Sequence, residues 1–133
     1  MINQINVGII GTGWCGGIRA NACADNPLVD KLYIAESNKE RLQELKKSLK
    51  LESSTDNWNE LIDNKNIDTI IISATPETTH FPMALAALKA GKNVFLEKPI
   101  ATTLKEAEEL IDISIKNNVK FTIGYSQRFN SKY

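Results

Sequence analysis

Residues 7–16 read Val7-Gly8-Ile9-Ile10-Gly11-Thr12-Gly13-Trp14-Cys15-Gly16, or VGIIGTGWCG. An apolar run that passes without a polar break into spaced glycines marks a buried strand turning sharply into a helix. The pattern Gly11-x-Gly13-x-x-Gly16 assigns each glycine a separate task. Gly11 permits the tight turn, Gly13 lets a diphosphate approach the backbone, and Gly16 lets helix and strand pack closely. The amides of Thr12, Gly13, Trp14 and Cys15 would face the phosphates at the helix N-terminus. A glycine-rich turn with no ligand has the same composition, so the reading depends on the rest of the chain.

Outward from this turn, strand and helix alternate. Residues 5–10 read as the first strand and 14–24 as a helix of small and apolar residues. Residues 32–35 form a second strand ending at Glu36, followed by Ser37-Asn38-Lys39-Glu40, whose spacing predicts a capping box with the Ser37 hydroxyl at the N-cap. A short edge strand is expected near 49–53, and Asn57-Trp58-Asn59-Glu60 has cap spacing again. Residues 68–73 are dominated by isoleucine, which suits a strand buried on both faces. A helix is predicted over 79–90 with Gly91 as its stop, then a strand over 93–96. Thr103 caps a helix whose Ala107, Leu110, Ile111, Ser114 and Ile115 are expected on one face, and 119–123 is the last strand. The alternation implies crossover connections, hence an α/β fold: a doubly wound parallel sheet in a three-layer α/β/α arrangement with strand order 3-2-1-4-5-6.

The bulk properties narrow the function classes. The 133 residues suggest one domain, and 42% hydrophobic with 24% charged residues fit a soluble globular protein. Sixteen basic and sixteen acidic side chains cancel, so nothing favours a nucleic acid or an anionic membrane as partner. Cys15 and Cys23, eight apart in one helix, would lie about 12 Å apart along its axis. That excludes a disulfide and suits reduced thiols in a cytoplasmic protein. No signal peptide is apparent, and the run Ile70-Ile71-Ile72 is too short to span a bilayer. One histidine and two separated cysteines do not make a zinc site, so no metal is expected.

The chemistry-bearing residues fall after strands. Glu36 lies twenty residues beyond Gly16, where an acid accepts hydrogen bonds from the adenosine ribose hydroxyls. Its charge opposes a 2′-phosphate, which favours NAD; NADP is the alternative, with Lys39 within reach of a phosphate. Ser37 stands beside it, either near the ribose or as a cap. Ala74-Thr75-Pro76 and His80 follow the isoleucine strand, where Thr75 and the Pro76 backbone can touch the ribose or pyrophosphate. His80 is counted with this cofactor loop and can hydrogen-bond locally, cap backbone groups or assist substrate; structural duty is favoured over proton transfer, because it stands near a helix start. Glu97-Lys98-Pro99 ends another strand on the same edge. There Lys98 can steady an oxygen that becomes negative beside a nicotinamide, and Glu97 can hold Lys98 or the cofactor. The bland reading of that pair is a surface couple before a turn.

These residues together resemble the N-terminal domain of the glucose–fructose oxidoreductase, inositol dehydrogenase and rhizopine-catabolism (Gfo/Idh/MocA) family. The resemblance rests on GTGWCG at 11–16, ATPETTH at 74–80, AGKNVFLEKP at 90–99 and GYSQRF at 124–129. It implies an NAD(P)-dependent oxidoreductase moving a hydride between nicotinamide and a sugar, cyclitol or related polyhydroxy substrate. It makes Lys98 the active-site lysine, and Arg128 an active-site or interdomain arginine. Two departures stand out: Glu36 replaces the commoner aspartate, and Gly17-Ile18-Arg19 occupies a stretch where many relatives carry a histidine. The family's second domain supplies the substrate pocket, so residues 1–124 are read as the dinucleotide domain and 125–133 as the start of the connection to that domain. Self-association through the surface it would cover is an accompanying expectation. The competing function is a non-catalytic dinucleotide-binding or regulatory protein that recruits a partner through 125–129.

Overall fold

The computed structural model of the protein describes residues 3–132. Six strands form one parallel sheet: β1 (Ile5–Ile10), β2 (Val29–Ala35), β3 (Ser53–Thr55), β4 (Thr69–Ile72), β5 (Asn93–Glu97) and β6 (Phe121–Gly124), in the order β3-β2-β1-β4-β5-β6. This is the expected order, and it follows from right-handed crossovers running first to one side of β1 and then to the other. The helices between strands are α1 (Trp14–Ala24), α2 (Lys39–Ser48), α3 (Trp58–Asp63), α4 (His80–Lys89) and α5 (Leu104–Lys116). The protein has the Rossmann architecture, with the switch in strand order between β1 and β4.

The strand residues alternate between two cores. Ile10, Ile70, Ile72, Val94 and Leu96 are buried with Ala84, Ala87, Leu88 of α4 and Leu110 of α5. Val7, Ile9 and Ile34 are buried on the opposite face with Ala20 of α1 and Leu45 of α2. Ile71 packs against that second cluster, so the isoleucine strand is covered on both sides as its composition requires. Lys92 anchors the start of β5: its buried ammonium donates to the carbonyls of Asn64 (2.6 Å) and Ile67 (2.8 Å).

Local corrections have identifiable causes. The cap of α2 is Asn38, not Ser37; its side chain accepts from the Arg41 amide at 2.9 Å. Ser37 is displaced from that role because the Glu36 carboxylate already receives the Asn38 amide, which delays the helix by one residue. The edge strand is Ser53–Thr55, later than the expected 49–53, set by its register with Tyr33 to Ala35 of β2. On α5 Leu110 and Ser114 are buried and Ile113 packs against the core, whereas Ile111 and Ile115 are exposed. The packed face is turned from the expected one, toward Ile113 and away from Ile111 and Ile115. Asn57 and Thr103 do cap α3 and α5.

Candidate functional site

At the carboxyl ends of the strands, a cleft of about 1030 Å³ opens across the β1/β4 switch point. That is at the upper end of the range for small-molecule sites, roughly 300–1,000 Å³. Its floor is the turn after β1. Gly11 has φ +81°, and a Cβ there would lie 2.6 Å from Ala74 Cα. A side chain is thus excluded both by conformation and by the neighbouring loop. A Cβ at Gly16 would land on the Gly11 carbonyl, 3.2 Å from Ser73 Cβ, so α1 and the strand ends touch backbone to backbone. Gly13 differs: a Cβ there would meet no protein atom within 4 Å, and the residue faces the cleft. The space above Gly13 is a cradle of the kind a diphosphate needs.

Glu36 closes one wall. Its Oε2 accepts from the Thr12 hydroxyl at 2.6 Å and the Thr12 amide at 2.8 Å, and its Oε1 accepts from the Asn38 amide. Partial burial raises the carboxyl, but these donors and the nearby Arg41 outweigh it and hold Glu36 below the usual carboxylate range. The acid is therefore an anion at neutral pH. One sequence expectation changes here: the Thr12 amide serves Glu36 rather than facing the cleft, and Thr12 is fully buried. Gly13, Trp14 and Cys15 remain along the cleft, with Trp14 85% exposed at its mouth.

Across the switch point, Ser73, Ala74 and Thr75 line the facing wall with His80, Glu97 and Lys98. His80 is buried, and its two ring nitrogens face the carbonyls of Pro99 (2.8 Å) and Ala74 (3.0 Å). It ties the loop after β4 to the loop after β5. That geometry supports a structural role and leaves neither nitrogen free for substrate. The prolines of both loops follow cis peptide bonds, Thr75–Pro76 and Lys98–Pro99. Lys98 is exposed along the cleft and has no hydrogen bond or ion pair among the described residues. Glu97 is paired with Arg19 of α1. Gly16 and Pro76 shape the turns without lining the cleft, and exposed Ser37 stands at its edge. Arg128 does not join the site: it is exposed in a short 3-10 turn, Ser126–Phe129, beyond β6.

Three residues in or beside the site were given no role from the sequence. Arg41 donates from Nε to the Thr12 carbonyl (3.1 Å) and lies over Gly17, placing a guanidinium on the Glu36 wall. Its position five residues after Glu36, in the first turn of α2, is the signal that could have found it. Trp58, which follows β3, borders the same end of the cleft. Arg19 sits beneath the Glu97–Lys98 end, and only a three-dimensional view shows which strand ends it meets.

A family model described as "Oxidoreductase family, NAD-binding Rossmann fold" matches residues 5–125. The chain belongs to the Gfo/Idh/MocA oxidoreductase family. It is 33% identical over 135 residues to levoglucosan dehydrogenase of Pseudarthrobacter phenanthrenivorans, a match covering 96% of this chain and 34% of that protein. It is 30% identical to myo-inositol 2-dehydrogenase of Thermotoga maritima, covering 97% of this chain and 38% of the relative. Among solved structures, scyllo-inositol dehydrogenase from Lactobacillus casei with bound NAD(H) and scyllo-inositol superposes with a TM-score of 0.90 at 28% identity. That match covers 98% of this chain and 39% of that one. The chain thus spans little more than a third of the length of these Gfo/Idh/MocA proteins. As a member of this family, it carries the NAD(P)-binding oxidoreductase domain.

Proposed function

We propose that these residues form the nucleotide-binding part of an NAD-dependent dehydrogenase acting on a sugar, cyclitol or related polyhydroxy compound. The observation that carries the reading is the assembly of Gly13, Glu36 and Lys98 along a single cleft at one sheet edge. Gly13 and the amides that follow it would hold the diphosphate, and Glu36 the adenosine ribose. When bound, the dinucleotide supplies or accepts a hydride at the nicotinamide C4.

This chain's residues then do three things. The Glu36 anion accepts from ribose hydroxyls and repels a 2′-phosphate, which favours NAD; Arg41 on the same wall keeps NADP as the weaker alternative. The His80 strap holds the two loops that flank the reacting end. Lys98 offers an unpaired cation to a hydroxyl or carbonyl oxygen as it gains negative charge. Relatives named for levoglucosan and inositols support the polyhydroxy substrate class. In this reading the chain acts in the cytoplasm. The proton that accompanies the hydride is handled, and the substrate enclosed, by protein outside these residues.

The test follows reduced nicotinamide absorbance across a polyol panel, comparing these 133 residues with any longer product of the same reading frame. NAD-dependent turnover in the longer form, lost in Lys98→Met, is the expected result. Turnover undiminished by Lys98→Met would overturn the role of the lysine. The non-catalytic alternative draws on one observation, the exposure of Tyr125 (48%) and Phe129 (80%) beyond β6. It would be favoured by a reproducible partner lost on Phe129→Ser in the absence of any turnover.

A further inference from the structure

Arg19 of α1 reaches the carboxyl ends of three strands. Its guanidinium pairs with Glu97 at the end of β5 and donates from Nη1 to Ser73 Oγ, just after β4, at 3.0 Å. Its Cζ lies 5.0 Å from the centroid of the Phe95 ring. Gly124, the last residue of β6, leaves the room: a Cβ there would stand 3.0 Å from Arg19 Nη2 and 3.1 Å from the Phe95 ring. The pair is shielded, with 19% of the Arg19 side chain and 14% of the Glu97 side chain exposed. A planar fork that stacks on an aromatic face and bonds two oxygens at once is a geometry that lysine cannot reproduce.

The consequence falls on the next residue. Lys98 is bonded to Glu97 through the backbone, and a carboxylate freed at that position would be an adjacent candidate counter-ion. Arg19 occupies that carboxylate, while a His80 ring nitrogen lies 2.8 Å from the carbonyl of Pro99 on the other flank. We propose that Arg19 is a positioning residue for Lys98. By drawing Glu97 against α1, it keeps the lysine from being neutralised by its own neighbour and leaves the ammonium free for an oxygen in the cleft. This inference rests on the functional reading of Lys98 above.

The test is competitive labelling of amino groups with an isotope-coded acetylating reagent at low salt. Peptide mass spectrometry reads Lys98 against the exposed Lys105 and Lys116. In Arg19→Met, which keeps a long apolar side chain over Phe95, the released Glu97 should pair with Lys98 and slow its acetylation by about two- to five-fold, the range for an exposed ion pair. Arg19→Met/Glu97→Gln should restore the original rate, which a merely loosened loop would not do. An unchanged Lys98 rate in folded Arg19→Met, or a rate still slow in the double variant, would overturn the proposal. Glu97→Gln alone covers the case in which Arg19→Met fails to fold. Lys98 should keep its wild-type rate there, and a rise of about two-fold or more would show that Glu97 already faces it. A separate arm adds NADH to the wild-type chain. Protection of Lys98 supports the dinucleotide reading, and its absence would count against that reading while leaving the Arg19 arms, run without nucleotide, to stand or fall alone.

Discussion

Gly13 and Gly16 are three residues apart in one turn, yet they should fail in opposite ways. A Cβ at Gly16 lands on the Gly11 carbonyl and 2.9 Å from Gly11 carbonyl carbon, so α1 must move away from the strand. Overpacking against backbone falls near the top of the usual range, about 3 kcal/mol. At about 2.1 cal/mol/K per residue, the unfolding entropy of such a chain is about 0.28 kcal/mol/K, and Gly16→Ala should lower Tm by about 11 °C. Gly13 has φ −57°, and its Cβ would enter open space. Gly13→Ala should shift stability by no more than about 1 kcal/mol, or about 4 °C. Its methyl occupies the approach of the diphosphate, however. Losing one charge-assisted hydrogen bond of about 1.5–3 kcal/mol weakens binding by about 10- to 100-fold. Thermal melts paired with NADH titrations, read through the only two tryptophans, Trp14 and Trp58 at the cleft, separate the two effects. Gly13→Ala that binds NADH as tightly as wild type, or Gly16→Ala that melts at the wild-type temperature, would refute the reasoning.

Other substitutions probe the remaining parts of the site. Glu36→Gln should narrow the preference for NAD over NADP by about ten-fold, because the like-charge term is removed while Arg41 stays; parallel titrations with both nucleotides check this. The same variant tests linkage. The folded carboxyl is held low, so its contribution is present above the ordinary carboxylate range and is lost as pH falls through the folded value. Wild type should therefore lose stability on acidification more steeply than Glu36→Gln, as urea melts between pH 6 and about pH 3 would show. His80→Ala should cost about 2–4 kcal/mol, since it opens a cavity and removes the ring that bridges the two loops; chemical denaturation measures it, and a cost near zero would remove the strap. Lys98→Met should leave the melt within about 0.5 kcal/mol of wild type, because the side chain is exposed and unpaired.

The sheet was legible because its signals are local and repeated. The buried isoleucine strand, the glycine turn and the caps at Asn57 and Thr103 each read correctly, and their alternation leaves few topologies. The α2 cap shifted because Glu36, a residue outside the helix, captures the Asn38 amide. The α5 face was misjudged because the helix carries apolar residues on adjacent faces, and periodicity does not show whether Ile113 or Ile111 and Ile115 meet the core. At the site, residues on strand ends were legible, since position after a strand places them on one edge. Arg19 and Arg41 were not, because their roles arise where α1 and α2 meet loops distant in sequence. Arg128 carried a family motif but lies away from the cleft among the described residues.

The central claim is that Gly11 to Gly16 and Glu36 form a dinucleotide site, and the most direct measurement is protein-observed NMR during separate titrations with NADH and NADPH. The account predicts saturable shifts at Gly13, Trp14, Cys15 and Glu36, with NADH the tighter ligand. A folded chain whose turn resonances do not move with either nucleotide would contradict it.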